Sequence, residues 1–400
     1  MTTIYFRQLA INGGLPVRTR AWPLPHLVDG DDEQRLLSVL RLDNWSNGEL
    51  TREFENRFAV FCGSKHALLV NNGTAALKLT LLALGVGLGD EVIVPGMTWP
   101  SVPIAVIECG ADPVPAEIDN DTYGLSLESV REAITSRTKV IIPTHLFCSQ
   151  TELAPIVNLV RREGIYLIED ASHAVGAKRC ARRLGSLGKA GIFSFNQKKL
   201  LACGEGGCLV TDDENLYERA KSLREIDPES RGIPSTLPAT NMVSEFQSAV
   251  LLSQLEKLPS KLSLIEQRAE LLRSLINGIE GVETLARPIG TELQTFYYYC
   301  FKVAGTRNIS AVRNALAAEL ALPMSGAYRP LCDVSVVNTA LDLRYPSLGT
   351  RLSKRLTNCL AAHYSEAVRF HHRALLSDES AMSDIAEAIY KVVGILRRGC

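Results

Sequence analysis

The stretch 191-GIFSFNQKKLLACGEGGCLV-210 runs from an apolar segment through two adjacent lysines into a glycine cluster. GIFSFN (191–196) and GCLVTD (207–212) read as strands, which puts Lys198 and Lys199 beside a strand end. One reading is a solvated strand end with ordinary charged residues. The other is a reactive amine, because a lysine whose surroundings lower its pKa is free to attack a carbonyl. Gly204, Gly206 and Gly207 allow the backbone to turn tightly and approach a planar ring. Ser194, five residues before Lys199, offers a hydroxyl suited to a phosphate.

Outward from this stretch, strand and helix patterns alternate from about residue 50 to about 225. EVIVP (91–95), KVIIPTH (139–145) and YLIED (166–170) read as strands, and GTAALKLTLLALGV (73–86) as a helix. In TELAPIVNLVRREG, Leu153, Ile156, Val157 and Val160 recur at helical spacing before Gly164. Strands buried on both faces between helices predict an α/β fold with a mostly parallel sheet covered on each side. Ligands of such sheets sit beyond the carboxyl ends of the strands. His145, Asp170 and the region after Phe195 all fall there.

The segment 225–240, rich in Pro, Ser and Gly, reads as a long loop. Helices over 245–258 and 261–277 then lead toward a smaller C-terminal α/β domain with a strand at 297–305 and helices at 310–320 and 380–398. The expected boundary lies near 255, giving domains 1–255 (with an N-terminal arm) and 256–400.

Composition narrows the class. With 43 basic and 44 acidic residues the net charge is -1, so no footprint for nucleic acid or a membrane surface is present. The N-terminus does not read as a signal peptide, and no apolar run reaches the length of a membrane span. Ten cysteines without a CxxC pair read as reduced thiols of a cytoplasmic protein, and no metal site is expected. GVGLGD (85–90) follows a helix and precedes a strand, the wrong context for a dinucleotide-binding turn.

Other residues can carry chemistry. Asp170 closes YLIED, where a buried carboxylate needs a cationic partner: the protonated ring nitrogen of a bound group, an arginine, or a helix to cap. His173 either contacts the same ligand or is a satisfied core residue. In NNGTAALKL (71–79), Gly73, Thr74 and Ala75 open a helix whose free N–H groups suit an anion, although a Gly-Thr start is also ordinary capping. Trp99 in VPGMTWP either stacks on an aromatic ligand or packs in the core.

Four blocks in order, WSNGELTREFENRFAVFCGSKHALLVNNGTAALKL, GDEVIVPGMTWPS, LIEDASHAVGA and FSFNQKKLLACGEGG, resemble the DegT/DnrJ/StrS family of fold-type I aminotransferases dependent on pyridoxal 5'-phosphate. The resemblance covers nearly the whole chain. It implies that Lys199, not Lys198, is the Schiff-base lysine, five residues after the serine and five before the first glycine of GEGG. It implies that Asp170 pairs with the pyridine nitrogen, that His173 lies near the phenolic oxygen and that Trp99 stacks on the ring. Thr74, Ala75 and Ser194 are implied to hold the phosphate, completed by an asparagine of the partner subunit in a shared-site homodimer. Here PATNMVSEFQ offers Asn241, or Thr240 in gap-free register, and Met242 or Val243 stands where the family has an arginine. GGLPVRTRAWP (13–23) and RFHHRALL (369–376) look closer to the cyclitol branch. That branch implies amino transfer from L-glutamine to a keto cyclitol in aminoglycoside-type antibiotic biosynthesis, with a nucleotide-linked keto sugar or an aminohydroxybenzoate precursor as alternatives. His371 and His372 either meet polyol hydroxyls or form an exposed pair near the last helix.

Overall fold

The alternation of apolar side chains along the strands decides the layers. Val92 and Val94 pack to one side of their strand and Ile93 to the other; Ile192 and Phe193, and Leu209 and Val210, divide in the same way. Such strands are covered on both faces. The structure, a computed structural model, describes residues 8–147, 151–225, 239–335, 337, 339 and 356–398. The loop expected at 225–240 lies almost wholly outside them.

Strands β1 (His66–Val70), β2 (Glu91–Pro95), β3 (Asp112–Ala116), β4 (Thr138–Ile141), β5 (Tyr166–Asp170), β8 (Ala190–Ser194) and β9 (Gly207–Thr211) form a seven-stranded sheet in the order β1-β9-β8-β5-β4-β2-β3. The pairs β2–β3, β2–β4, β4–β5 and β5–β8 are parallel; β9 alone runs antiparallel to both its neighbours. The expected α/β class with a mostly parallel central sheet is therefore observed. Helices Gly73–Ala83, Ser101–Glu108 and Glu214–Arg224 pack against one face, and Glu49–Cys62 brings Phe54 and Phe58 to the other. Each such fully buried side chain contributes about 1.5–3 kcal/mol.

Two short strands, β6 (Lys178–Arg179) and β7 (Arg182–Arg183), join β11 (Thr291–Leu293) in a small sheet. Another antiparallel sheet holds β10 (Val282–Thr284), β12 (Tyr298–Val303) and β13 (Ala367–His371), with Cys300 opposite Arg369. Helices Ile309–Leu320 and Glu379–Arg398 fall where their periodicity placed them.

The helices expected over 245–258 and 261–277 form one helix, Glu245–Ile276, that continues through Pro259. Proline costs a helix interior about 3 kcal/mol. Here Leu251, Leu252, Leu255 and Leu258 before it, and Leu262, Ile265, Ala269 and Leu272 after it, are all buried in one apolar cluster, which outweighs the break. A capping box fixes the start: Ser244 N–H donates to Gln247 Oε1 (2.9 Å) and Gln247 N–H to Ser244 Oγ (3.4 Å). Residue 255 thus lies inside this helix. The same cluster reaches from Phe54 and Phe58 to Ile385 and Val392.

Candidate active site

Strand β8 ends at Ser194, so Lys198 and Lys199 sit in a turn rather than on an extended strand. Alternation along an extended strand, by which a sequence would send neighbouring lysines to opposite faces, therefore does not separate them. Asn196 makes the turn: its Oδ1 accepts from Lys198 N–H (3.1 Å) and its carbonyl from Lys199 N–H (2.8 Å). Its Nδ2 donates to Glu205 (2.6 Å), and Gln197 N–H donates to the carbonyl of Gly204, which adopts φ +94°. Lys198 is exposed at the mouth of the cleft that both lysines line, whereas Lys199 is half-buried, with Nζ 4.3 Å from the Tyr297 ring centroid. Burial lowers the Lys199 pKa to about 8, against the opposing field of Asp170.

Both groups line a cleft with about 400 Å³ of free space at the carboxyl ends of the strands, together with Thr74, Trp99, His173 and Ser194. Asp170 is buried, and its Oδ1 accepts from Ser172 N–H (3.1 Å). Behind it, Glu169 and His145 form a wholly buried pair (3.2 Å). Burial alone would raise the Glu169 carboxyl. His145 and the amides of Gly185 and Gly188 reverse that and hold it below the ordinary value. His145 is thereby a brace for the end of β5, not a wall of the cleft. His173 is buried with Nε2 3.4 Å from the Tyr328 hydroxyl and Nδ1 without a partner. Burial first, then Lys199 and Arg369, push its pKa well below the usual value and keep the ring neutral. Trp99 is half-open to solvent and meets Tyr328 edge-on at 5.5 Å.

The helix Gly73–Ala83 points its N-terminus into the cleft beside Ser194. Asn72 Oδ1 already accepts from the Ala75 N–H (2.8 Å), and Ala75 does not line the cleft. Gly73 and Thr74, in the first turn of that helix, do line it. They form one anion cradle with the Thr74 and Ser194 hydroxyls. Asn241 does not join it within this chain: its carbonyl accepts from Asn71 N–H (3.0 Å) and its Nδ2 donates to the Ala239 carbonyl (3.3 Å). Thr240 is exposed.

Neither expectation for the histidine pair holds. His371 Nε2 donates to the Lys198 carbonyl (2.8 Å), while His372 is buried with Nδ1 on the Tyr297 carbonyl (3.2 Å). Neither lines the cleft. Burial lowers the His371 pKa to about 4 and pushes that of His372 well below its ordinary value, so both are neutral near pH 7. On the other side of Lys199, the buried Lys261 amine donates to the carbonyls of Leu200 and Pro25 (2.8 Å each). The peptide on either side of Lys199 is therefore held by a side chain from another element. Lys261→Met leaves two carbonyls without their donor. A loss of about 2 kcal/mol in denaturant unfolding at pH 7 is expected, with kcat reduced as the turn loosens. Burial lowers the Lys261 pKa from 10.5 to about 8. The unfolded chain therefore binds more protons between those values, and this residue's share of stability rises with pH across that window. The difference between parent and variant should widen from pH 8 to 10.

Sequence reasoning passed over Asn196, Lys261, Tyr297, Tyr298, Tyr328 and Arg369. The run YYY (297–299) was the available signal, since three tyrosines entering a strand place at least one on the cleft side.

Residues 27–368 match the DegT/DnrJ/EryC1/StrS aminotransferase family. The chain belongs to this family. It is 35% identical to the L-glutamine:2-deoxy-scyllo-inosose aminotransferase of Streptoalloteichus tenebrarius, covering 96% of this chain and 97% of that one. It is 34% identical to the L-glutamine:scyllo-inosose aminotransferase of Streptomyces griseus, over 97% and 98% of the two chains. Among solved structures, 3-amino-5-hydroxybenzoic acid synthase superposes with a TM-score of 0.85 at 32% identity, over 95% and 99% of the chains. The enzyme is an aminotransferase, and pyridoxal 5'-phosphate is its cofactor. The cleft fits that group. It offers a low-pKa amine, a carboxylate, an orphaned imidazole nitrogen and an anion cradle on one wall. Among the described residues no cluster of metal-ligating side chains occurs, and no helix is long and apolar enough to cross a membrane.

The cradle is closed from behind by Gly207. A Cβ there would lie 2.2 Å from the Asn72 carbonyl carbon and 2.4 Å from Gly73 N, both backbone atoms. Gly207→Ala is expected to cost about 1–3 kcal/mol of stability and to weaken cofactor binding about tenfold or more. Denaturation and spectral titration with the cofactor measure the two effects.

Proposed function

We propose that this chain transfers an amino group from L-glutamine to a keto cyclitol such as scyllo-inosose or 2-deoxy-scyllo-inosose. It does so as a cytoplasmic homodimer with shared sites, in the assembly of an aminoglycoside-type antibiotic. The observation that carries the substrate class is similarity along nearly the whole chain to aminotransferases of those two ketones. A precursor of 3-amino-5-hydroxybenzoate is the second reading, favoured by the backbone superposition.

In this reading the cofactor supplies a covalent attachment for the amino group and an electron sink for the carbon that loses its proton. Lys199 Nζ holds the cofactor at rest, then takes the donor's α-proton and delivers it onward; a pKa near 8 suits both roles at neutral pH. With the cofactor bound, Asp170 would hold positive charge on the ring nitrogen and His173 would lie near the phenolic oxygen. Trp99 would cover the ring, and Gly73, Thr74 and Ser194 would hold the phosphate. Asn241 would complete the phosphate site of the partner subunit. The dimer is supported by a run of exposed apolar side chains near the N-terminus: Leu24, Val28, Leu37, Leu40 and Trp45. The division of the chain near residue 255 belongs to the same reading, with the long helix as the wall shared by both parts.

Spectral titration tests the assignment. L-Glutamine should convert the yellow protein, and a keto cyclitol should restore its original spectrum. Restoration by a nucleotide-linked keto sugar and not by a cyclitol would contradict it.

A further inference from the structure

The N-terminal arm is fastened along its length. Glu319, buried in the helix Ile309–Leu320, accepts from the N–H groups of Ala10 (2.9 Å) and Val17 (3.1 Å), and Trp22 Nε1 donates to the Leu320 carbonyl (2.7 Å). The arm then passes to the long helix Glu245–Ile276, where Lys261 and Gln254 donate to the carbonyls of Pro25 and Leu27 (2.8 Å each). Between those two anchors stands His26, half-buried. It presents an N–H to the Gln197 carbonyl, and its Nδ1 is buried without a partner. From β13, His371 donates to the next carbonyl, that of Lys198 (2.8 Å), and its ring meets Tyr297 edge-on at 5.7 Å. Lys199 Nζ lies over the same Tyr297 ring.

We infer that His26 and His371 are positioning residues for Lys199, which makes the N-terminal arm a working part of the catalytic site. This rests on Lys199 as the reacting amine and deepens that reading. Two successive peptide planes lead to Lys199, and each is gripped on both sides. In the first, the Lys198 N–H is held by Asn196 Oδ1 (3.1 Å) and the Gln197 carbonyl by His26. In the second, the Lys199 N–H is held by the Asn196 carbonyl (2.8 Å) and the Lys198 carbonyl by His371. Asn196 thus serves the N–H groups from inside the turn, and the carbonyls take donors from two other elements. Gln197 and Lys198 are exposed, so water could serve those carbonyls equally well. Fixed imidazoles supply what water does not, a set direction for the bond on which the Lys199 side chain leaves the backbone. A long side chain turns a small rotation there into a displacement of Nζ, and an error of about 1 Å at a reacting atom costs about 100-fold in rate. Burial keeps both rings neutral near pH 7, so they stand beside the Lys261 ammonium without charge repulsion.

The test compares cofactor-loaded variants by two readouts. His26→Ala and His371→Ala should each lower kcat about tenfold, with little change in KM for L-glutamine. The cofactor is achiral, so its absorbance band acquires circular dichroism only from a fixed orientation in the protein. That dichroism should weaken in both variants while the far-ultraviolet spectrum stays that of the parent. It needs no amino donor, so a wrong donor leaves this readout intact. His26→Gln and His371→Gln, which keep a neutral N–H donor at similar reach, should recover most of both signals. His26→Asn and His371→Asn, whose amides stop short of the carbonyls, replace the Ala variants if those do not fold. Parent-like kcat and dichroism in either Ala or Asn variant would overturn the inference. So would a fall in kcat without a change in the cofactor band, or Gln variants no better than Ala. Borohydride reduction should still mark Lys199 in every variant. A mark on another lysine in the parent would refute the reading of Lys199 itself, so the two failures are distinct.

Discussion

Lys199→Ala is expected to abolish turnover, a fall of about 10⁴-fold or more, because one side chain both anchors the cofactor and moves the proton. Lys198→Ala should retain activity within a few-fold. The two residues are neighbours of identical chemistry, so the contrast isolates environment. Lys198 lines the cleft at its exposed edge, with its backbone held by Asn196 and His371. Lys199 is pressed against Tyr297, its charged form disfavoured by burial. Steady-state assays with L-glutamine and a keto acceptor, and the absorbance of the cofactor-loaded proteins, give the comparison. A silent Lys198→Ala with an active Lys199→Ala would reverse the assignment.

Asp170→Asn should reduce kcat about 10²–10³-fold, the usual cost of removing one preorganised electrostatic partner. The amide is nearly isosteric, and its oxygen can still accept from Ser172 N–H, so the end of β5 and its buried Glu169–His145 brace should persist. What disappears is the negative charge that stabilises a protonated ring nitrogen. The same charge raises the Lys199 pKa, so the free amine of the variant should titrate below the value near 8. Cofactor affinity should change less than kcat, since the phosphate cradle is untouched. A variant within tenfold of the parent would place the cationic partner elsewhere.

The central sheet was legible because its strands carry apolar residues on both faces and end in Asp170 and Ser194, where polar side chains mark the transition to a ligand-facing edge. The turn after β8 was not. Alternation along an extended strand separates neighbouring lysines just as well on paper. Only the fold of Asn196 back onto Lys198 and Lys199 shows how the two part. Ala75 was an equally natural phosphate donor until Asn72 capped it, a competition between two satisfactions of the same N–H that spacing does not resolve. His371 and Lys261 meet the lysine turn through contacts across 60 or more positions in the chain, and their roles exist only in three dimensions. Arg369 stood in the quoted RFHHRALL but gained meaning from strand pairing, which sets it among tyrosines instead of acids.

The most direct measurement is borohydride reduction of the cofactor-loaded protein followed by peptide mapping. One phosphopyridoxyl group on Lys199, and none on Lys198 or Lys261, is the result predicted here. A modified lysine elsewhere, or no stable adduct at all, would contradict the account at its centre.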